Sequence, residues 1–112
     1  MRKFGGVNEL ISTLKPENPV YCIRPNSIKK SVEFFKSNFP GKILYAVKTN
    51  PQEKVIKTII NSGIENFDVA SINEIKLIRK INNKVKVYFM HTVKRKESIK
   101  EASSEYNVKD FA

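Results

Sequence analysis

Apolar and polar residues are arranged along the chain in two patterns, one typical of β-strands and one typical of α-helices. Five short β-branched, aromatic or other apolar runs predict strands, and they cover residues 19–24, 42–47, 67–70, 85–90 and 108–112. Between them, apolar residues recur every three or four positions, which predicts helices with one buried face. These helices cover residues 27–39, 51–62, 72–81 and 97–106. Strands and helices therefore alternate, which predicts a parallel sheet connected by helices.

Signals for helix ends fall at the boundaries of this pattern. Asn50, followed by Pro51, is a residue type that caps the start of a helix. Ser71 and Glu74 have the spacing of a capping box, which gives Glu74 a sufficient structural role. Gly63 follows a helical stripe and predicts a left-handed exit from that helix.

Two architectures are compatible with a parallel sheet of this kind. A doubly wound sheet normally carries a glycine-rich phosphate loop after its first strand, and residues 45–50 contain no glycine. A (β/α)8 barrel needs no such loop, but a closed barrel takes about 250 residues. We therefore expect the 112 residues to hold three βα units and the start of a fourth.

Composition narrows the class of protein. An apolar fraction of 40% is typical of a globular chain, and no apolar run reaches the length of a membrane span. The single cysteine, Cys22, excludes an internal disulfide, and we find no metal-ligand spacing around it. Because Cys22 lies in an apolar run, we expect it to be a buried structural thiol. The single cysteine also makes a cytoplasmic protein our default expectation.

The net charge of +10 raises nucleic acid as a possible partner. However, lysine outnumbers arginine 17 to 4, and the lysines are scattered through every segment. Arginine is the residue that phosphate recognition favours. A nucleic-acid-binding module therefore stays a remote alternative.

Candidate chemistry lies where the predicted strands end, because parallel sheets bind ligands at the carboxyl ends of their strands. Lys48, Asp68 and His91 occupy these ends. A lysine is usually a solvated surface amine, an aspartate at a strand end usually bonds the next turn, and a single histidine is more often structural. Lys48 differs because alternation puts it on one face with Leu44 and Ala46. We expect a packed stem and a partly desolvated amine, free to form a Schiff base with an aldehyde.

Two motifs carry a specific resemblance to a known family. Residues 45–51 read Tyr-Ala-Val-Lys-Thr-Asn-Pro, and residues 67–71 read Phe-Asp-Val-Ala-Ser, followed by Glu74 and Ile75. In content, order and separation they resemble the pyridoxal-phosphate barrel of the ornithine, diaminopimelate and arginine decarboxylases. The resemblance runs from the apolar segment at Pro19 to Ala112.

The resemblance implies a fold of type III, with a barrel similar to that of alanine racemase and a second, β-rich domain. Residues 1–25 would then hold a lead-in strand of the β-rich domain, and residues 26–112 the amino-terminal part of the barrel. The cofactor would be pyridoxal 5'-phosphate, bound covalently by Lys48. By similarity, Ala46 would lie beside the cofactor, Asp68 would lie near its ring, and Glu74 would support the site. The resemblance assigns no role to His91.

The implied function is that of an amino-terminal fragment of an amino-acid decarboxylase resembling ornithine decarboxylase, which acts in polyamine biosynthesis. Much of the family's site lies beyond residue 112, so we expect the fragment to be inactive alone. The expected partners are an amino-acid substrate and either a remainder chain or a homodimer partner. An alternative is a subunit or regulator that pairs with an intact decarboxylase.

Overall fold

The computed structural model describes residues 2–112, in which four α-helices and four strands alternate after an isolated first helix. The strands are β1 (Leu44–Ala46), β2 (Asn66–Val69), β3 (Lys86–Phe89) and β4 (Asp110–Phe111). The helices are α1 (Val7–Leu14), α2 (Pro25–Asn38), α3 (Glu53–Asn61), α4 (Ile72–Ile81) and α5 (Lys96–Tyr106). A turn of 3-10 helix, Val47–Thr49, follows β1 directly.

All neighbouring strands are parallel, and their order in the sheet is β1-β2-β3-β4. Each helix from α3 to α5 therefore connects two strands that are neighbours in space. A doubly wound sheet reverses its direction of growth at a switch point, whereas a barrel adds strands in sequence order. The sheet of residues 2–112 has the sequential order, and this confirms the predicted partial barrel.

The hydrophobic core lies between the sheet and the helices. Every second residue of β2 and β3 is buried, including Phe67 and Val87. Ile56, Ile75 and Ala102 of the three connecting helices are 0% exposed against them. Burying a side chain of valine to phenylalanine size stabilises the fold by roughly 1.5–3 kcal/mol. This one-sided core is what holds the strand ends in place.

The opposite face of the sheet is only partly covered. Strand register places two rows of side chains on it: Leu44, Asn66 and Lys86 in one row, and Ala46, Asp68, Tyr88 and Asp110 in the next. All of them are half-buried or exposed. In a closed barrel this face is the interior.

The helix boundaries follow the sequence signals at two of three positions. The Ser71 hydroxyl accepts the Glu74 backbone N–H at 3.2 Å, which confirms the predicted cap. Gly63 has a φ of +94°, which confirms the left-handed exit. Asn50 is not the cap of α3, because that helix begins at Glu53. Its side-chain oxygen instead accepts the backbone N–H of Gln52 at 3.1 Å and orders the preceding turn.

The strand predicted at residues 19–24 is wrong. Residues 15–24 have no regular secondary structure and pair with no strand of the described chain. An apolar run forms a strand only when its backbone pairs with a neighbouring strand, and residues 19–24 make no such pairing although β1 is the edge strand of the sheet. The domain boundary near residue 25 stays a prediction.

Two other features of the amino-terminal segment differ from expectation. Cys22 is exposed rather than buried, because it belongs to the unpaired segment and not to a packed strand. The helix α1 was not predicted, and none of its residues is buried. No helix within residues 2–112 combines the length and the apolar character needed to cross a membrane.

Candidate functional site

The carboxyl ends of β1, β2 and β3 lie along one edge of the sheet, since the three strands are parallel neighbours. Lys48 follows β1 by two residues, Asp68 lies within the end of β2, and His91 follows β3 by two residues. The structure therefore brings the three sequence-predicted residues to one edge, as expected. How each is held there differs.

Lys48 lies in the 3-10 turn after β1 and not at the last position of a strand. Val47 is 0% exposed and anchors this turn in the core, and the turn also lies against β2. The Lys48 side chain is exposed. The packed stem predicted from strand alternation is therefore wrong, because alternation ends at Ala46, where the backbone leaves the strand. Within residues 2–112, the Lys48 ammonium forms no ion pair and donates no hydrogen bond.

Ala46 and Asp68 are direct neighbours across β1 and β2. Both lie on the partly covered face, and both are half-buried. The methyl group of Ala46 fills little space beside the Asp68 carboxylate. In the described part of the chain, that carboxylate has no ion-pair partner.

Glu74 orders the turn that follows β2. Its carboxylate accepts the backbone N–H of Ala70 at 2.9 Å, while its own N–H donates to the Ser71 hydroxyl. These two bonds satisfy donors that the start of α4 would otherwise leave without partners. Glu74 thus fixes the backbone just beyond Asp68, and a direct contact with a cofactor stays a prediction.

His91 is exposed in the loop after β3, and its Nδ1 accepts the backbone N–H of Val93 at 3.0 Å. The Lys94 ammonium donates to the carbonyl oxygens of His91 and Ala112. It also lies 5.6 Å from the ring centre of Phe89. Lys94 therefore ties the carboxyl ends of β3 and β4 together. Sequence reasoning did not single it out, because its partners are backbone atoms.

A second group that sequence reasoning missed surrounds Asn50, two residues after Lys48. The Tyr45 hydroxyl donates to the Asn50 carbonyl at 3.1 Å, and the Asn50 side-chain amide donates to the Tyr21 hydroxyl at 2.8 Å. Burial is the largest influence on Tyr45 and raises the pKa of its hydroxyl. Tyr45 stands inside the motif around Lys48, but Tyr21 lies 29 positions from Asn50 and no local pattern marks it.

Lysines also reach the partly covered face of the sheet. The Lys42 ammonium donates to the Tyr88 hydroxyl at 3.1 Å, and this bond lowers the pKa of Tyr88. Lys86 forms an ion pair with Asp110 at 3.1 Å. These residues lie on the same face as Ala46 and Asp68, so the face is polar and carries both signs of charge.

A cavity of about 590 Å³ opens beside the free edge of β1. Its walls are residues 21–24, α2 and β1, and most of its lining is apolar. Neither Lys48 nor Asp68 lines it. Ala46 and Asn50 do line it, so the cavity borders the turn that carries Lys48.

Comparisons with known proteins agree with this fold. Residues 25–111 match a family model described as pyridoxal-dependent decarboxylase, pyridoxal binding domain. The structure is similar to the crystal structure of lysine decarboxylase from Selenomonas ruminantium, with a TM-score of 0.80 and 22% sequence identity. That likeness covers 99% of this chain and 29% of the lysine decarboxylase chain, and it shows the fold alone. A search of curated proteins gave no match.

Proposed function

Since the chain belongs to the pyridoxal-dependent decarboxylase family, through its pyridoxal binding domain, we propose that Lys48 binds the cofactor covalently in an amino-acid decarboxylase. The family's cofactor is pyridoxal phosphate. The observation that carries the proposal is the position of Lys48: an exposed amine that forms no ion pair within residues 2–112, in a turn anchored at the carboxyl end of β1. An aldehyde reacts with such an amine because the amine is accessible.

The residues around Lys48 suit this cofactor. The side chain of Ala46 is a single methyl group, so the space beside Asp68 stays open for a planar ring. Asp68 supplies a carboxylate at the same edge, and the chain's net charge of +10 favours an anionic ligand. These features support a fit of pyridoxal phosphate to the carboxyl ends of β1 and β2.

Each residue has a distinct part in the proposed site. Bound pyridoxal phosphate supplies an electron sink for the carbanion left when carbon dioxide departs. Lys48 holds the cofactor, Asp68 orients it through hydrogen bonding, and Ala46 leaves room for it. Glu74 acts on the turn after β2 and keeps the Asp68 backbone in place through its bond to Ala70.

We further propose that the whole enzyme acts on ornithine or a similar amino acid, in polyamine biosynthesis in the cytoplasm. The chain spans 29% of the length of the lysine decarboxylase it resembles. Its four strands are half of an eight-stranded barrel. Catalysis would therefore need further strands and a second domain, from a longer chain or a partner, and a homodimer would complete the site.

The covalent role of Lys48 is tested by trapping. The 112-residue protein is mixed with pyridoxal phosphate, reduced with borohydride and mapped by peptide mass spectrometry. We expect the pyridoxyl group mainly on Lys48, although the chain contains 17 lysines. Lys48→Arg should remove most of the bound cofactor.

Lys54→Arg is the matched control. Lys54 is also exposed, it lies in the first turn of α3, and its ammonium forms no ion pair within residues 2–112. This variant should label like the unmodified protein. Equal labelling of Lys48 and Lys54 would contradict the proposal. Release of carbon dioxide from ornithine by the 112 residues alone would contradict the expected inactivity.

A further inference from the structure

The turn that carries Lys48 is fixed on its far side by Asn50. Three groups of Asn50 form hydrogen bonds: the carbonyl oxygen accepts from the Tyr45 hydroxyl at 3.1 Å, the side-chain oxygen accepts from the Gln52 N–H at 3.1 Å, and the side-chain amide donates to the Tyr21 hydroxyl at 2.8 Å. The backbone at Asn50 is therefore held by a residue of β1, a residue of the following turn and a residue of the amino-terminal segment.

Lys48 lies between two fixed points. On one side, Val47 is 0% exposed in the core. On the other side, Asn50 is tied to Tyr45 and Tyr21. The Lys48 side chain itself is exposed, and within the described chain no hydrogen bond or ion pair orients its ammonium. The direction in which the amine leaves the sheet is thus set by the backbone of this turn.

The hydrogen bond from Tyr45 to Asn50 is partly shielded from water. Tyr45 is half-buried and packs edge to face on Phe67, with ring centres 6.1 Å apart. Burial raises the pKa of its hydroxyl, which favours the protonated form that donates to Asn50. Tyr21 is 65% exposed, and its bond competes with water. We expect Tyr45 to contribute more than Tyr21.

We propose that Asn50 is a positioning residue for Lys48, and that Tyr45 and Tyr21 hold it in place. The inference rests on the proposed covalent role of Lys48 and adds residues that the family resemblance did not assign. Tyr21 precedes α2, so the amino-terminal segment takes part in shaping the cofactor turn. Reaction of an amine with an aldehyde depends steeply on approach geometry, so loss of these bonds should slow the reaction at Lys48 and at no other lysine.

The experiment uses the reductive trapping described above, with the rate of labelling followed separately at Lys48 and at Lys54. The variants are Tyr45→Phe, Tyr21→Phe and Asn50→Ala. Each tyrosine variant removes one hydroxyl and keeps the ring. We expect the Lys48-to-Lys54 labelling ratio to fall roughly fivefold in Tyr45→Phe and less in Tyr21→Phe. Asn50→Ala removes the side-chain bonds to Gln52 and Tyr21 but keeps the carbonyl that accepts from Tyr45, so its effect should exceed that of Tyr21→Phe. Labelling of Lys54 should stay constant.

Tyr106→Phe is the matched control, since Tyr106 is half-buried in α5 and its hydroxyl forms no hydrogen bond within residues 2–112. A purely structural effect would lower the melting temperature and change labelling at both lysines, whereas positioning changes the ratio alone. If Lys48 labels preferentially in the unmodified protein and the ratio is unchanged in Tyr45→Phe and Tyr21→Phe, the positioning role is overturned. If Lys48 is not labelled preferentially in the unmodified protein, the proposed function is contradicted, and the positioning role is contradicted with it.

Discussion

Gly63 ends α3 with a φ of +94°, in the region that residues with a side chain rarely adopt. A Cβ at this position would lie 2.6 Å from the Lys36 ammonium, which is the end of a flexible chain and can move. The cost of Gly63→Ala therefore comes mainly from the backbone. We expect a loss of about 1 kcal/mol in the free energy of unfolding, measured by urea denaturation.

Gly6→Ala is the control for that substitution. Gly6 precedes α1 with an extended φ of −175°, and a Cβ there would meet nothing within 4 Å. Its free energy of unfolding should match that of the unmodified protein. An equal loss in both variants would show that the effect is not specific to the left-handed conformation.

Lys48 shows where residue-scale reasoning succeeds and where it stops. Its place at the end of an apolar run, inside a recognisable motif, was enough to single it out among 17 lysines. Its environment was not predictable, because alternation assumes that the strand continues. The strand ends at Ala46, and the 3-10 turn redirects the side chain into solvent.

At the scale of elements, the start of α4 depends on Ser71. Its hydroxyl accepts the Glu74 N–H, a donor that would otherwise have no partner inside the helix. Ser71→Ala should lower the free energy of unfolding by about 1 kcal/mol. Because the same turn follows Asp68, this variant should also reduce cofactor labelling at Lys48 if the turn supports the site.

Ser103→Ala serves as the comparison. Ser103 is exposed in the middle of α5, and its hydroxyl caps no helix in the described chain. Alanine is the better helix former there, so the variant should be neutral or slightly stabilising. A loss as large as that of Ser71→Ala would argue against a capping effect.

Helices α3 and α4 are joined by a pH-dependent contact. The Glu53 carboxylate lies 2.7 Å from the Lys57 ammonium and 3.4 Å from that of Lys80. The hydrogen bond from Lys57 is the largest cause that lowers the pKa of Glu53. A lowered pKa in the folded state adds stability above about pH 4.5, and this stability is lost as the pH falls through the lowered value.

Glu53→Gln should therefore remove part of the acid-induced loss of stability, measured by urea denaturation between pH 7 and pH 3. The effect is small, since the pair is exposed and screened by salt. Glu97→Gln is the control, because Glu97 is exposed in the first turn of α5 and forms no ion pair within residues 2–112. Identical pH profiles for the two variants would exclude the ion pairs of Glu53 with Lys57 and Lys80 as the cause.

At the scale of the whole molecule, stability comes from one face of the sheet. Phe67 lies at the centre of that face, is 0% exposed and contacts Tyr45 edge to face. Phe67→Ala should cost roughly 3–5 kcal/mol in the free energy of unfolding, because the loss of burial adds to an unfilled cavity. That is a large share of the stability of a typical domain.

Phe34→Ala provides the contrast at the surface. Phe34 is 63% exposed on α2, so its removal should change the free energy of unfolding by less than about 0.5 kcal/mol. A loss comparable to that of Phe67→Ala would mean that the exposed face of α2 is covered in solution. Denaturation monitored by circular dichroism distinguishes the two results.

The sequence by itself determined the order of elements from α2 to β4, the cap at Ser71, the exit at Gly63 and the motif around Lys48. These features depend on residues close together in the chain, where apolar periodicity and capping chemistry act directly. For the same reason, the resemblance to a decarboxylase barrel could be drawn from two local motifs.

Only the tertiary structure decided the sequential strand order, the unpaired state of residues 19–24, the exposure of Cys22 and the ties of Tyr21 to Asn50. Each depends on which distant segment supplies a hydrogen-bond partner or a covering surface. An apolar segment becomes a strand only when it pairs with a neighbouring strand, and a side chain is buried only where another element covers it.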